Sequence, residues 1–152
     1  MRRWIAGSGL VLLVVLFSVS SCGSSQKSVS ISEGEAAAFQ NKEADTVTIS
    51  DPDSKYEIII IEPGFNFWLN SIAQPRGYYS QNFLETRNRL YVIEWNQRVM
   101  QPNRFDPLLY ELQINYEQNV DYGYEVNYKL YNYFIYFQRK YRQRLGPFIP
   151  RI

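Results

Sequence analysis

The amino-acid sequence predicts an α+β domain, or a small α/β one, and three patterns carry that reading. Residues 56–62 hold four consecutive isoleucines closed by Pro63-Gly64, which reads as a strand apolar on both faces. Residues 110–117 alternate Tyr110, Leu112, Ile114 and Tyr116 with Glu111, Gln113, Asn115 and Glu117, as a strand with one wet face does. Residues 80–100 and 124–145 instead space their apolar side chains at the helical period. An all-helical alternative is set aside, because an isoleucine run bounded by Glu57 and Pro63 suits a strand better.

In chain order, residues 46–50 form a first short strand, with Val47 and Ile49 alternating against Thr46, Thr48 and Ser50. Asp51-Pro52-Asp53-Ser54 turns the chain, and strand 56–62 takes a central place in a small sheet. A short helix over 65–73 ends before Pro75-Arg76-Gly77. Ser80 caps the helix 80–100, whose Leu84, Tyr91, Trp95 and Val99 share a face. Glu85–Arg89 and Glu94–Arg98 stand four apart with the acid first, the favourable order. After strand 110–117, Asp121 caps the helix 124–145, whose stripe is Leu130, Phe134, Phe137, Tyr141 and Leu145. The strand–helix–helix–strand order implies that strands 56–62 and 110–117 pair in parallel through a right-handed crossover, with 46–50 hairpinned onto the former. One domain over 46–146 and a tail over 147–152 follow.

The chain ahead of Thr46 reads as an address and a tether. Arg2 and Arg3 precede the apolar run 10–17, which is short of the ~20 residues a membrane span needs. Small residues 18–21 lead to Cys22, the only cysteine, and that order makes 1–21 a signal peptide. Val19-Ser20-Ser21-Cys22 resembles the lipobox of bacterial lipoproteins, in which the thiol takes a diacylglycerol and the new amino terminus is acylated, here by a chain such as palmitate. An ordinary secreted protein with a leftover cysteine is the alternative. Residues 22–45 then comprise the lipidated cysteine and a flexible Ser-, Gly-, Gln-, Glu- and Ala-rich tether. The expected location is the cell envelope, as an outer-membrane lipoprotein facing the periplasm and held to the membrane through Cys22.

Pro75-Arg76-Gly77-Tyr78-Tyr79-Ser80, Glu94-Trp95-Asn96, residues 109–116 (LYELQINY) and residues 121–128 (DYGYEVNY) resemble an uncharacterised lipoprotein family of the Bacteroidota, domain of unknown function 6146. The resemblance covers about 45–152 and implies an outer-envelope lipoprotein. It transfers no catalytic residue.

Composition narrows the chemistry. A formal net charge of +1 is no footprint of a nucleic-acid binder. With no histidine and one cysteine, the 152 residues hold no disulfide framework, Cys/His zinc site, Ser-His-Asp triad or histidine-ligated haem. Glu85, Glu94, Glu111, Glu117, Asp121 and Glu125 could in principle supply the two carboxylates of a glycosidase, but helical arginine partners or a solvated strand face explain most of them. Asn115, Glu117, Asn119 and Asp121 alternate oxygen ligands, yet Tyr122 and Tyr128 stand where a calcium loop has glycine and glutamate. No cofactor, metal ligand or catalytic residue is therefore assigned.

The 13 tyrosines, 9 phenylalanines and 3 tryptophans are the distinctive feature. Tyr124, Tyr128 and Tyr131 share one face of the last helix, and Arg139, Lys140 and Arg142 cluster near its end. They form the candidate surface for an envelope protein or polymer partner. Residues 22–86 sum to −5 and residues 87–152 to +4, so the charge is lopsided as well. The reading favours a non-enzymatic binding or structural module. Its rival is a carboxylate-dependent hydrolase of envelope sugar polymer, using Glu94 and Glu111.

Overall fold

Helix α4, Gly123–Lys140, is the axis on which the rest of the chain is laid. The computed structural model describes residues 29–41, 46–50 and 57–152. Along them run α1 (Glu33–Gln40), β1 (Thr46–Ser50), β2 (Glu57–Ile61), α2 (Phe65–Ser71), α3 (Gln81–Val99) and α4. Helices α2 and α3 and strand β1 all pack on α4, and α1 packs on α2.

α4 is buried on almost every side, which its sequence achieves with amphipathic rings and self-satisfied amides. Val126, Leu130, Phe134, Ile135 and Phe137 are buried, and so are Asn127, Asn132 and Gln138. Each amide donates to the carbonyl four residues back, Gly123, Tyr128 and Phe134, at 2.8, 2.8 and 3.0 Å, so none of these NH₂ groups is left unpaired. Tyr128 and Tyr136 bury their rings and send their hydroxyls to the carbonyls of Gln74 and Pro63, both at 2.7 Å. Around them the aromatic core closes edge to face: Trp95 meets Phe137 at 4.8 Å and Tyr110 at 5.0 Å, and Phe65 and Trp68 meet Tyr136 at 5.4 and 5.6 Å.

The fold is all-α, not the α+β class that the sequence predicts. The packed body consists of the four helices. β1 and β2 form only an antiparallel two-stranded hairpin, with Thr46 opposite Ile61 and Ser50 opposite Glu57, so β2 is not the centre of a sheet. The expected third strand, 110–117, is extended but has no strand partner among the described residues, and the parallel crossover does not exist. Its ladder is replaced by two side chains of α3. Asn96 of α3 donates to the Ile114 carbonyl at 2.9 Å and accepts from the Ile114 amide at 2.8 Å, while the Trp95 indole N–H donates to the Leu112 carbonyl at 2.9 Å. Tyr110 is buried and Ile114 and Tyr116 half-buried, as the alternation requires, but Leu112 points outward at 77% exposure. Period-two patterning specifies extended backbone with one wet face; it does not specify what the backbone bonds to.

Two further boundaries move. α1 lies inside the segment expected to be a tether, starting with a capping box in which Glu35 N–H donates to Ser32 Oγ and Ser32 N–H to Glu35 Oε2, both at 3.3 Å. It comes so close to the start of α2 that a Cβ on Gly64, which sits at φ 83°, would stand 2.1 Å from the Ala38 carbonyl oxygen. At the other end, α4 stops at Lys140 and not at 145. Arg142 adopts the left-handed region at φ 51°, and Gln143 N–H returns to the Gln138 carbonyl at 3.0 Å, closing a Schellman motif without glycine. Leu145 is buried as expected, but it gets there from the extended chain beyond the helix, with its N–H on Gln138 Oε1 at 2.7 Å. The turn 51–54, Cys22 and the signal peptide 1–21 lie outside the described residues.

Candidate partner surface

The six residues proposed to form a partner surface do not share one. Tyr128 and Tyr131 are buried, Tyr124 is half-buried, and each is engaged inside the body. Tyr124 accepts the Gly77 N–H on its hydroxyl at 2.7 Å and stacks on Tyr128 with ring centroids 6.1 Å apart. Arg76 lies 4.7 Å above the Tyr128 ring while making two bonds to Glu125, at 2.8 and 2.6 Å. Those contacts pin the Pro75-Arg76-Gly77 loop to the first turn of α4. Tyr131 packs edge-on against Tyr79 at 5.3 Å and Phe83 at 5.9 Å, and burial pushes its phenol well above the ordinary range.

The cations separate in the same way. Arg139 is buried and makes a two-pronged pair with fully buried Glu35, both bonds at 2.5 Å. It also donates to the carbonyls of Pro150 at 3.1 Å and Ser30 at 2.9 Å. Burial acts to raise the Glu35 carboxyl; the bond and charge of Arg139, with the Ser32 N–H and the Trp68 indole, outweigh it and hold the carboxyl below its usual value. Lys140 pairs with Glu62 at 2.6 Å and bonds the Pro63 carbonyl at 3.1 Å, and the Tyr141 hydroxyl shares the same Glu62 oxygen at 2.8 Å. Of the three cations, only Arg142 is exposed.

The carboxylates weighed for catalysis have structural partners or point to solvent. Glu94 is bonded through one oxygen by Arg98 Nε and NH2 at 2.8 and 2.7 Å, and Arg98 continues to the Tyr110 hydroxyl at 2.7 Å and the Arg144 carbonyl at 2.5 Å. Glu85 stands 4.0 Å from Arg89, and Glu125 is held below the ordinary carboxyl range mainly by its bond to Arg76. Glu111 and Glu117 are exposed on the extended segment. Asp121 receives the Gly123 N–H at 2.9 Å and the Gln81 amide at 2.8 Å, so it orders the approach to α4 without capping the helix itself. Among the described residues no group of three metal-ligating side chains comes together, and no helix is long and apolar enough to cross a membrane.

The residues that organise both ends of the molecule, Glu35 and Arg139, are separated by 104 positions. A local signal for half of this was present, since Ser32-Glu33-Gly34-Glu35 ahead of Ala36 is a capping-box sequence. Nothing local names its partner.

The model of a family of unknown function, DUF6146, matches residues 10–148. The chain belongs to this family. The DUF6146 match takes in the apolar run, Cys22 and all four helices, well beyond the 45–152 that carry the aromatic motifs. No curated protein and no solved structure matches the chain.

Proposed function

We propose that this DUF6146 chain is an envelope lipoprotein, anchored through Cys22, whose helical body is a non-enzymatic binding or structural module. One observation carries the non-enzymatic part. Among the described residues the Glu35 and Glu125 carboxyls are both pulled down by arginine, whereas a general acid has to be pushed up. Among the described residues the other half-buried acids, Glu62, Glu85 and Glu94, each stand beside a cation. Glu94 is committed to Arg98 and Glu111 to solvent, which disfavours the hydrolase reading.

Support for the anchor is the order charged start, apolar run 10–17, small residues and lone Cys22, together with a family match that begins at residue 10 and includes the last three of these. An outer-membrane location is the accompanying proposal, resting on Gly23 and not Asp after the cysteine, and its periplasmic face rests on the lack of acids over residues 23–27. Fractionation of cells expressing the full chain and a Cys22→Ser variant tests it. The parent should stay with the membranes and the variant should be released; equal membrane retention of both overturns the anchor.

A further inference from the structure

The last 27 residues, 126–152, contain no acid and six bases. Three of the six are consumed inside the fold: Lys129 by Glu125, Arg139 by Glu35 and Lys140 by Glu62. Arg142, Arg144 and Arg151 are exposed and make no ion pair among the described residues. After α4 the chain continues as a strap that turns at Gly146, φ 83°, and is held down at four positions. Gln143 reaches Arg98 and Tyr110, Leu145 is buried on Gln138, Phe148 lies 3.3 Å under the Arg87 guanidinium, and Pro150 is buried with its carbonyl on Arg139. Between and beyond those positions Arg142, Arg144, Ile149, Arg151 and Ile152 are exposed. Glu35 and Glu94, which meet the strap through Arg139 and Arg98, are already bonded to those cations.

The Arg139 guanidinium bonds the Ser30 and Pro150 carbonyls at once, which fixes Ser30 beside the C-terminal strap. Ser30 is eight residues after Cys22, a distance that a fully extended chain covers in at most about 28 Å. We infer that the exposed side chains of the strap, Arg142, Arg144 and Arg151 with Ile149 and Ile152, rest on the anionic headgroups of the membrane that holds the anchor. The inference rests on the anchored reading for which membrane is met, but the charge and geometry of the strap are independent of it. Arginines supply attraction to anionic lipid, the exposed isoleucines enter the headgroup boundary, and the combination fixes which side of the body faces away.

The test uses the full chain carrying Cys22→Ser, so that no lipid contributes, and sedimentation with phosphatidylglycerol–phosphatidylcholine vesicles against phosphatidylcholine vesicles. The apolar run 10–17 contributes to both vesicle types and Arg2 and Arg3 add to anionic binding, so the loss on removing the strap arginines is what reads the strap. The expected result is preferential binding to the anionic vesicles that fades with added salt. Arg142→Gln/Arg144→Gln/Arg151→Gln should lower the anionic affinity by on the order of 100-fold, about fivefold per arginine. The three side chains are exposed, and an unchanged circular dichroism melt verifies the fold of the variant. Equal affinity for both vesicle types, or undiminished anionic binding by the triple variant, overturns the inference. Salt-sensitive retention on a soluble anionic polysaccharide that the vesicles fail to displace also overturns it, in favour of a polymer partner. Lipidation of Cys22 is read separately by mass, so an anchored protein with an inert strap and a binding strap without an anchor are distinct results.

Discussion

Arg139 spends all three of its nitrogens on fixed partners: Nε and NH2 on Glu35, NH1 on the Pro150 carbonyl, and NH2 also on the Ser30 carbonyl. Such a pair need not add net stability compared with two well-packed apolar side chains, because removing both charges from water is costly. Breaking it is another matter. Arg139→Met leaves the Glu35 carboxylate buried among Ser32, Trp68 and no cation, and should lower unfolding free energy by about 3–5 kcal/mol. Glu35→Leu/Arg139→Met together should recover much of that loss, since neither charge remains stranded. Urea unfolding of the two variants checks the difference, and a double variant worse than the single one would contradict a clamp built on charge.

Among the elements, those with local signals match their expected limits. Ser80 caps α3 by accepting the Phe83 N–H at 3.3 Å, α2 starts at Phe65 after Gly64, and the hairpin strands run over 46–50 and 57–61. The expected elements that fail are those whose partners lie elsewhere. Residues 110–117 carry strand alternation but dock through the Asn96 amide, and an asparagine on a helix gives no sign that it will stand in for a neighbouring strand. α1 looks too polar to fold because its decisive side chain is Glu35, whose burial makes sense only with Arg139 beside it. α4 looks too long because the left-handed residue that ends it is arginine, not glycine. The candidate surface dissolves for a related reason, since Tyr128 and Tyr131 pattern as amphipathic while their rings are needed inside. Where α1 meets α2, Gly64→Ala should destabilise by at least ~2 kcal/mol, combining left-handed strain with a clash against the Ala38 backbone. A melting temperature equal to that of the parent would mean that α1 does not seat there.

At the scale of the whole molecule, a core built on tyrosine makes stability depend on alkali. Burial raises the phenols of Tyr91, Tyr110, Tyr128, Tyr131, Tyr133 and Tyr141 above 10.0, and that of Tyr116 up to about 12. The folded state therefore holds these protons more tightly than the unfolded state, so their contribution is whole below pH 10 and drains away as the pH climbs past it. Glu35 and Glu125 act in the opposite sense: held below 4.5, they support the fold above that pH and cease to do so as acid protonates them. Tyrosinate absorbance followed alongside circular dichroism should show these phenols ionising together with loss of structure, and full ionisation in a still-folded protein would contradict the packing. The body so stabilised carries Ser30, just ahead of α1, and its basic strap side by side. That arrangement has most use if the chain leaves a membrane at Cys22. The most direct measurement is the intact mass of the protein extracted from the membrane fraction of its host. The account predicts a chain starting at Cys22 that is heavier than residues 22–152 by a diacylglycerol and an acyl chain; an unmodified thiol at Cys22 would contradict it.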